Sequence, residues 1–375
     1  MKIQLLYVLR VLSIAIFVAI IPGCSDRLDM EDVAFSLAVG LDLDKENNLL
    51  VYSTNPAFSK NVKKKIDETV VKAQTLRQSR GMLDVRTSGA VLGRKTQILL
   101  VGKSILQHED WFRLLDPYFR DAKNSLSARV IAVDGPVSEI IFFNPEDKPI
   151  LPIYMIGLIK TASNASETVN TTLQELHRQM FEKGVTPYIS EITMEKEVAL
   201  QGTALLDHKG KYVDSLSVQE NILMQMLKKN LKKPITLSLP IPGEPKSGPF
   251  NTDRISINVE RIKTEINTSY LKDKFQFDIK VNMPVVLAER LFTFDVLNRG
   301  EELEKMISVQ VQKQFENLIK KIQTHKLDPF GLGLYARAYE YNQYKKVEDH
   351  WGDTLADADI HVSVNVTIRS MGPVK

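Results

Sequence analysis

The sequence contains a single cysteine, Cys24, among its 375 residues. One cysteine excludes an intramolecular disulfide and a zinc site built on several thiolates. The chain also lacks an excess of charge of one sign, because 49 basic residues stand against 46 acidic ones. This balance gives no indication of the basic face that nucleic-acid binding requires, so we expect no nucleic-acid partner.

Long apolar runs are missing after the N-terminal region. No stretch beyond it approaches the roughly 20 apolar residues that span a bilayer. Internal repeats and low-complexity tracts are absent from the sequence as well. The remaining composition, 43% hydrophobic and 25% charged, is typical of a globular protein. At roughly 150 residues per domain, this length predicts two or three domains.

The N-terminal region has the features of an export signal. Residues 1–23 carry Lys2 and Arg10 but no acidic residue, and residues 11–21 form an almost uninterrupted apolar run. A basic start followed by about 7–15 apolar residues is typical of a secretory signal. The run is too short for a membrane span of about 20 residues.

The position of the only cysteine makes this signal more specific. Gly23 directly precedes Cys24, and a small residue before cysteine resembles a bacterial lipobox, although Pro22 departs from the usual small or aliphatic residue. We predict that residues 1–23 are a cleaved lipoprotein signal peptide and that Cys24 is lipidated, since the thiolate is the nucleophile for thioether formation. An ordinary secretory signal and an uncleaved signal anchor are the alternatives.

Strand and helix patterns alternate in residues 24–199, the predicted N-terminal region. Buried or alternating apolar runs predict strands at residues 34–43, 49–54, 97–101 and 128–133. Helical spacing and stop signals predict helices at residues 66–80, 105–119 and 168–183, the second of them broken near Pro117.

Residues 200–375, the predicted C-terminal region of one or two modules, have clearer periodicity. Ser217 begins a capping-box pattern that predicts a helix. Alternating apolar residues at 275–281 and 360–368 predict half-buried antiparallel strands, and apolar steps of three and four predict a long helix over 301–325. We therefore expect an α+β protein of two to three modules, in which helices pack on antiparallel or mixed sheets.

Two stretches match known binding motifs in sequence only, and their context argues against calcium or nucleotide binding. Residues 42–48 resemble the start of a calcium loop, but Asn47 and Ser53 stand where glycine and glutamate are needed, which favours a hairpin turn. Residues 331–336 match G-x-G-x-x-A without a preceding buried strand, which favours a turn that begins a helix. The histidines show no metal-ligand spacing, so we expect no metal, no cofactor and no catalytic residue.

Two basic clusters, at residues 60–65 and 228–233, have two interpretations. The first is a solvated face. The second is contact with anionic lipid close to the membrane anchor.

Several stretches, taken in order, resemble the spore germination lipoprotein family, the C subunits of nutrient germinant receptors of endospore-forming bacteria. They are residues 24–32, 38–42, 94–102, 202–213, 328–333, Trp351 and 358–369. Ser25 stands where the family usually has tryptophan. The closing block is the most similar, and the order and spacing of the stretches extend over most of the mature chain.

The resemblance implies three α+β modules and a lipid anchor on the outer face of the spore inner membrane. It implies two integral membrane subunits as partners in a receptor that responds to nutrients. The family supplies no catalytic residues, so only Cys24 is transferred as a functional residue, the ligand-binding residues are unknown, and we expect no enzyme. Two alternatives stay open, a lipoprotein that itself captures a small nutrient and an exported lipoprotein hydrolase.

Overall fold

The computed structural model describes most of the chain that follows the predicted signal. The described residues are 4, 7, 10–13, 29, 32–57, 64–87, 89–145, 147–241, 246, 250–296 and 298–370. Cys24 and most of residues 1–23 lie outside them, so the signal and the lipidation stay predictions. None of the helices in the described part is long and apolar enough to cross a membrane.

The N-terminal unit is built on a mixed sheet of eight strands with a separate two-stranded pair. Its strands are β1 (Val33–Phe35), β2 (Ala38–Leu43), β3 (Leu49–Pro56), β4 (Ile66–Ala73), β5 (Ala90–Leu92), β6 (Ile98–Gly102), β7 (Arg129–Asp134), β8 (Tyr188–Met194), β9 (Val198–Leu206) and β10 (Tyr212–Ser217). The order of the large sheet is β10-β9-β8-β7-β6-β2-β3-β4, and β1 pairs with β5. The central strands β8, β7, β6 and β2 are parallel, and antiparallel strands extend both edges.

Helices cover both faces of this sheet, because its central parallel strands are apolar on both sides. They are α1 (Leu76–Asp84), α2 (Lys103–Leu106), α3 (Asp116–Arg120), α4 (Val137–Ile141), α5 (Leu151–Asn164) and α6 (Leu173–Phe181). On one face, α1, α2 and α6 bury Leu83, Ile105 and Leu176. On the other face, α4 and α5 bury Ile140 and Met155.

The C-terminal unit packs helices on a second sheet. Its elements are α7 (Val218–Leu227), β11 (Ile235–Pro240), β12 (Arg254–Val259), β13 (Lys263–Leu271), β14 (Lys274–Arg290), α8 (Gly300–Thr324), α9 (Leu332–Tyr339), α10 (Tyr341–Val347), α11 (Trp351–Ala356) and β15 (Asp359–Ser370). Strands β12 and β13 pair one after the other along β14. Lys272 and Asp273, with φ of 51° and 59°, form the two-residue turn of this hairpin.

The predicted α+β class, with mixed and antiparallel sheets and packed helices, is confirmed. Ser217 caps α7 in a complete capping box with Glu220. The stripe of α8 is buried at Leu303, Ile307 and Phe315, as its periodicity predicted. These features are local, so the sequence pattern is sufficient to predict them.

Two helix predictions are wrong. Residues 66–80 form β4 and only then the start of α1, because β-branched residues such as Val70 and Val71 pair with β3 and because Thr75 caps the helix. Residues 105–119 form the end of α2, a 3₁₀ turn over Trp111–Leu115 and part of α3. The left-handed conformation of Asp110, with φ of 59°, ends the helical path well before Pro117, where the sequence predicted a break.

The predicted antiparallel relation of the last two long strands is also wrong. β14 is antiparallel to β12 and β13, but β15 runs parallel to β14. Four helices, α8 to α11, lie between β14 and β15 in the chain. A crossover of this length returns the chain to the starting end of the sheet, as parallel pairing requires.

The predicted domain limit between residues 199 and 200 falls inside β9. The domain limits stay a prediction. β9 and β10 continue the eight-stranded sheet, yet Leu205 and Leu216 on these strands belong to the core of the C-terminal unit. One hydrophobic core therefore continues from the first unit into the second.

Candidate functional site

Asp328 occupies a fully buried position at the contact between the two units. Its Oδ1 accepts hydrogen bonds from the backbone N–H groups of Gly331 (2.8 Å) and Leu332 (3.0 Å). Its Oδ2 accepts from the backbone N–H of Gly333 (2.7 Å) and from the indole Nε1–H of Trp351 (2.8 Å). Gly331 has a φ of 82°, a left-handed conformation that favours glycine, and it begins α9.

The electrostatics of Asp328 reflect two opposing effects. Burial raises the pKa of the Asp328 carboxyl, while the hydrogen bonds from Gly333, Trp351, Leu332 and Gly331 oppose that shift. A buried carboxyl is costly unless its oxygens are hydrogen-bonded, and here four donors surround it. Its position and partners are therefore strongly determined by the fold.

A backbone segment of the N-terminal unit completes this contact. We call the contact of Asp328 and the start of α9 with residues 184–186 the junction. The N–H of Asp328 donates to Thr186 Oγ1 (2.8 Å), and the N–H of Thr186 donates to the carbonyl of Asp328 (2.9 Å). Gly184 lies so close to Gly333 that a Cβ on Gly333 would be 2.6 Å from the Gly184 Cα. Both backbones approach at this point only because neither residue has a side chain.

Ion pairs surround this contact on the surface. Arg337 of α9 binds Glu182 at 2.9 Å, and Lys183 binds both Glu348 and Asp349 at 2.8 Å. Exposed pairs of this kind are worth about 0–1 kcal/mol each. They reinforce the alignment of the units, while the buried contacts provide most of the specificity.

The second basic cluster contributes to the same junction. Lys228 donates to the carbonyl of Pro329 (2.9 Å), and its Nζ lies 4.9 Å from the centre of the Tyr188 ring. The Nζ of Lys229 lies 5.6 Å from the ring centre of Tyr335. Lys229 is exposed, in line with a solvated face, and Lys228 is half-buried against the protein itself, while contact with anionic lipid stays a prediction.

Trp351 connects the junction to the second sheet. Its ring centre lies 5.3 Å from that of Phe275 and 5.3 Å from that of Tyr344, and all three side chains are buried. The Tyr344 hydroxyl is buried and has no hydrogen-bond partner in the described part of the chain, and burial raises its pKa to about 12.

A second buried carboxyl lies in β8. Glu191 is 1% exposed, its Oε1 lies 3.6 Å from Lys103 Nζ, and its Oε2 has no hydrogen-bond partner among the described residues. Burial raises the pKa of Glu191, although Lys103 partly opposes the shift. The described residues contain no group of three or more His, Cys, Asp or Glu side chains placed to hold a metal ion.

The sequence contained one signal for this junction. An aspartate shortly before Gly331 and Gly333, at the start of a helix, is typical of a side chain that binds successive backbone N–H groups. No comparable sequence pattern indicates the role of Gly184 or Thr186. Both residues contribute because the fold places them against the segment that contains Asp328 and Gly333.

The fold and the junction together define a two-unit α+β protein with a shared core. Residues 26–194 match the family model described as spore germination protein N-terminal domain. Residues 201–372 match the model described as spore germination B3/GerAC like, C-terminal. The chain belongs to this GerAC-like family of spore germination proteins, as its sequence resemblance predicted.

Individual relatives are similar over almost their whole length. Spore germination protein YndF of Bacillus subtilis (strain 168) is 22% identical, with 95% of this chain and 94% of the relative covered. Spore germination protein KC of the same organism is 21% identical, with 98% and 96% covered. The crystal structure of the GerBC protein has a TM-score of 0.56 at 16% identity, with 91% of this chain and all of that chain covered, so the two share a fold.

Proposed function

We propose that this chain is the lipid-anchored C subunit of a spore nutrient germinant receptor. The observation that carries the proposal is the match to both family models, in order, with one model on each unit. Relatives named spore germination proteins that align over nearly their full length support the same role. This role is assembly and signal relay, and it requires no catalytic residue.

The membrane attachment belongs to the same proposal. Cys24 carries the lipid, and the folded units lie on the outer face of the spore inner membrane. Two acyl chains are sufficient for stable anchoring, since each buried CH₂ contributes about 0.8 kcal/mol. The partners are two integral membrane subunits of the receptor.

The junction at Asp328 supports a relay between these partners. The two units share a continuous core, and Asp328 has hydrogen bonds to both of them. A partner that moves one unit therefore displaces the other, because such an interface does not deform gradually.

Purification of the full-length chain from spore membranes tests the proposal. We expect an affinity-tagged chain, extracted in mild detergent, to bring two multi-span membrane proteins with it. A tagged lipoprotein of unrelated fold from the same membranes is the control and should bring neither. Isolation of this chain without any multi-span partner, together with normal germination of spores that lack it, would reject the receptor role.

A further inference from the structure

The N-terminal unit contains a small cavity whose lining shares no residue with the contact around Asp328. Its volume is about 80 Å³, and it lies among β2, β3, β5, α1 and α3. Buried Val39, Val51, Leu83 and Val91 form its apolar wall. An apolar cavity of this order accommodates a short hydrocarbon group, since cavities of about 150 Å³ hold benzene.

Tyr118 contributes a phenolic hydroxyl to the lining of this cavity. Tyr118 is 9% exposed, and its side chain is part of the cavity lining. Burial alone raises the pKa of the Tyr118 phenol, without a contribution from any hydrogen bond. A phenol O–H is a hydrogen-bond donor, so it can bind an acceptor that enters the cavity.

Two arginines of α1 line the cavity. The Nη1 atoms of Arg77 and Arg80 each lie 3.9 Å from the same oxygen, Asp121 Oδ2, which is the outer limit of an ion pair. Arg80 is oriented by a 3.0 Å hydrogen bond from its Nε to the carbonyl of Val91. One carboxylate oxygen at that distance leaves most of the guanidinium donors available to a ligand.

A wider cavity of about 400 Å³ shares both arginines and carries excess positive charge. Its charged lining residues are Arg77, Arg80, Arg94, Lys123, Asp84 and Asp121. Asp84 already accepts a 2.6 Å hydrogen bond from the backbone N–H of Val91. Because four basic side chains stand against two carboxylates, this wider cavity favours a bound anion.

We propose that these two adjoining cavities form a binding site for a small organic carboxylate with a short aliphatic tail. The tail occupies the apolar cavity, the carboxylate lies against Arg77 and Arg80, and the Tyr118 hydroxyl gains an acceptor. Arginine suits this role because its planar fork matches a carboxylate with two parallel hydrogen bonds. The site is independent of the receptor proposal, since it requires no partner subunit.

Calorimetric titration of the full-length chain in detergent micelles with butyrate tests the site. We expect saturable binding of butyrate, none of n-butylamine, which has the same tail without the carboxylate, and binding of inorganic phosphate at least tenfold weaker. Absence of saturable butyrate binding would overturn the proposal. Equal binding of n-butylamine would exclude the anionic site, and equal binding of phosphate would exclude the role of the apolar cavity.

Three variants locate the binding. Arg77→Gln should weaken butyrate binding about tenfold, because it removes a guanidinium that pairs with the carboxylate. Tyr118→Phe should also weaken butyrate binding about tenfold, because it removes the phenolic donor. Arg178→Gln on α6, outside both cavities, should bind as the unchanged chain does. Unchanged affinity in both cavity variants would refute the assignment.

Discussion

The indole N–H of Trp351 donates a 2.8 Å hydrogen bond to the carboxylate of Asp328, and both side chains are almost completely inaccessible to solvent. The contact joins the start of α11 to the loop that precedes α9. Because the same carboxylate oxygen also accepts from Gly333, the Trp351 side chain holds the segment that approaches the N-terminal unit.

We expect Trp351→Phe to lower the free energy of unfolding by about 2–4 kcal/mol. It removes a donor to a buried carboxyl, worth about 1.5–3 kcal/mol, and leaves space where the larger ring packed. Urea unfolding followed by circular dichroism measures the change. Asp353→Asn, at an exposed pair with Lys326, should stay within about 0.5 kcal/mol. An unchanged midpoint in Trp351→Phe would contradict the role assigned to this contact.

Two glycines should respond in opposite directions to the same substitution. Gly333→Ala places a Cβ 2.6 Å from the Gly184 Cα and 2.7 Å from Trp351 Nε1, so we expect a loss of about 1–3 kcal/mol through strain. Gly81→Ala, inside α1 with no atom within 4 Å of the new Cβ, should gain about 0.5–1 kcal/mol. Thermal unfolding of both variants compares them. A gain in Gly333→Ala would show that the two backbones can separate freely.

Glu191 should make stability decrease as the pH rises. Its pKa is raised by burial, so the folded state binds a proton more readily than the unfolded state, whose pKa is near 4.5. The favourable proton binding is lost as the pH rises from that value through the raised pKa. Glu191→Gln, which keeps the shape without the charge, should therefore be more stable than the unchanged chain at neutral pH.

The pH dependence provides the check on this prediction. The advantage of Glu191→Gln, measured by urea unfolding, should shrink as the pH is lowered towards 4.5. Glu195→Gln, at an exposed position of the same hairpin, should change stability by less than about 0.5 kcal/mol. A Glu191→Gln chain that is less stable at neutral pH would mean that the ion pair with Lys103 outweighs the cost of burial.

Cys24→Ala should release the chain from the membrane. Without the thiol no lipid can be attached, so a chain whose signal is removed should lose its membrane anchor. Partition of spore membrane extracts between detergent and aqueous phases measures this, with Ser25→Ala as the neighbouring control. Retention of Cys24→Ala in the detergent phase, equal to that of Ser25→Ala, would favour an uncleaved signal anchor.

Local sequence patterns predicted much of the fold. The capping box at Ser217, the stripe of α8 and the hairpin turn over residues 44–48 depend on neighbours within a few residues in the chain. The sequence also shows Cys24 after an apolar run and an aspartate shortly before Gly331. Only Cys24 was assigned a role from the sequence.

The amino-acid sequence by itself therefore determined the class, the order of most elements and the resemblance to spore germination proteins. The tertiary structure decided that residues 66–73 form a strand, that β15 lies parallel to β14, and that Gly184 meets Gly333. Each of these depends on a partner far away in the chain. Strand pairing and buried polar contacts are long-range interactions, and they outweigh the local preferences that periodicity reports.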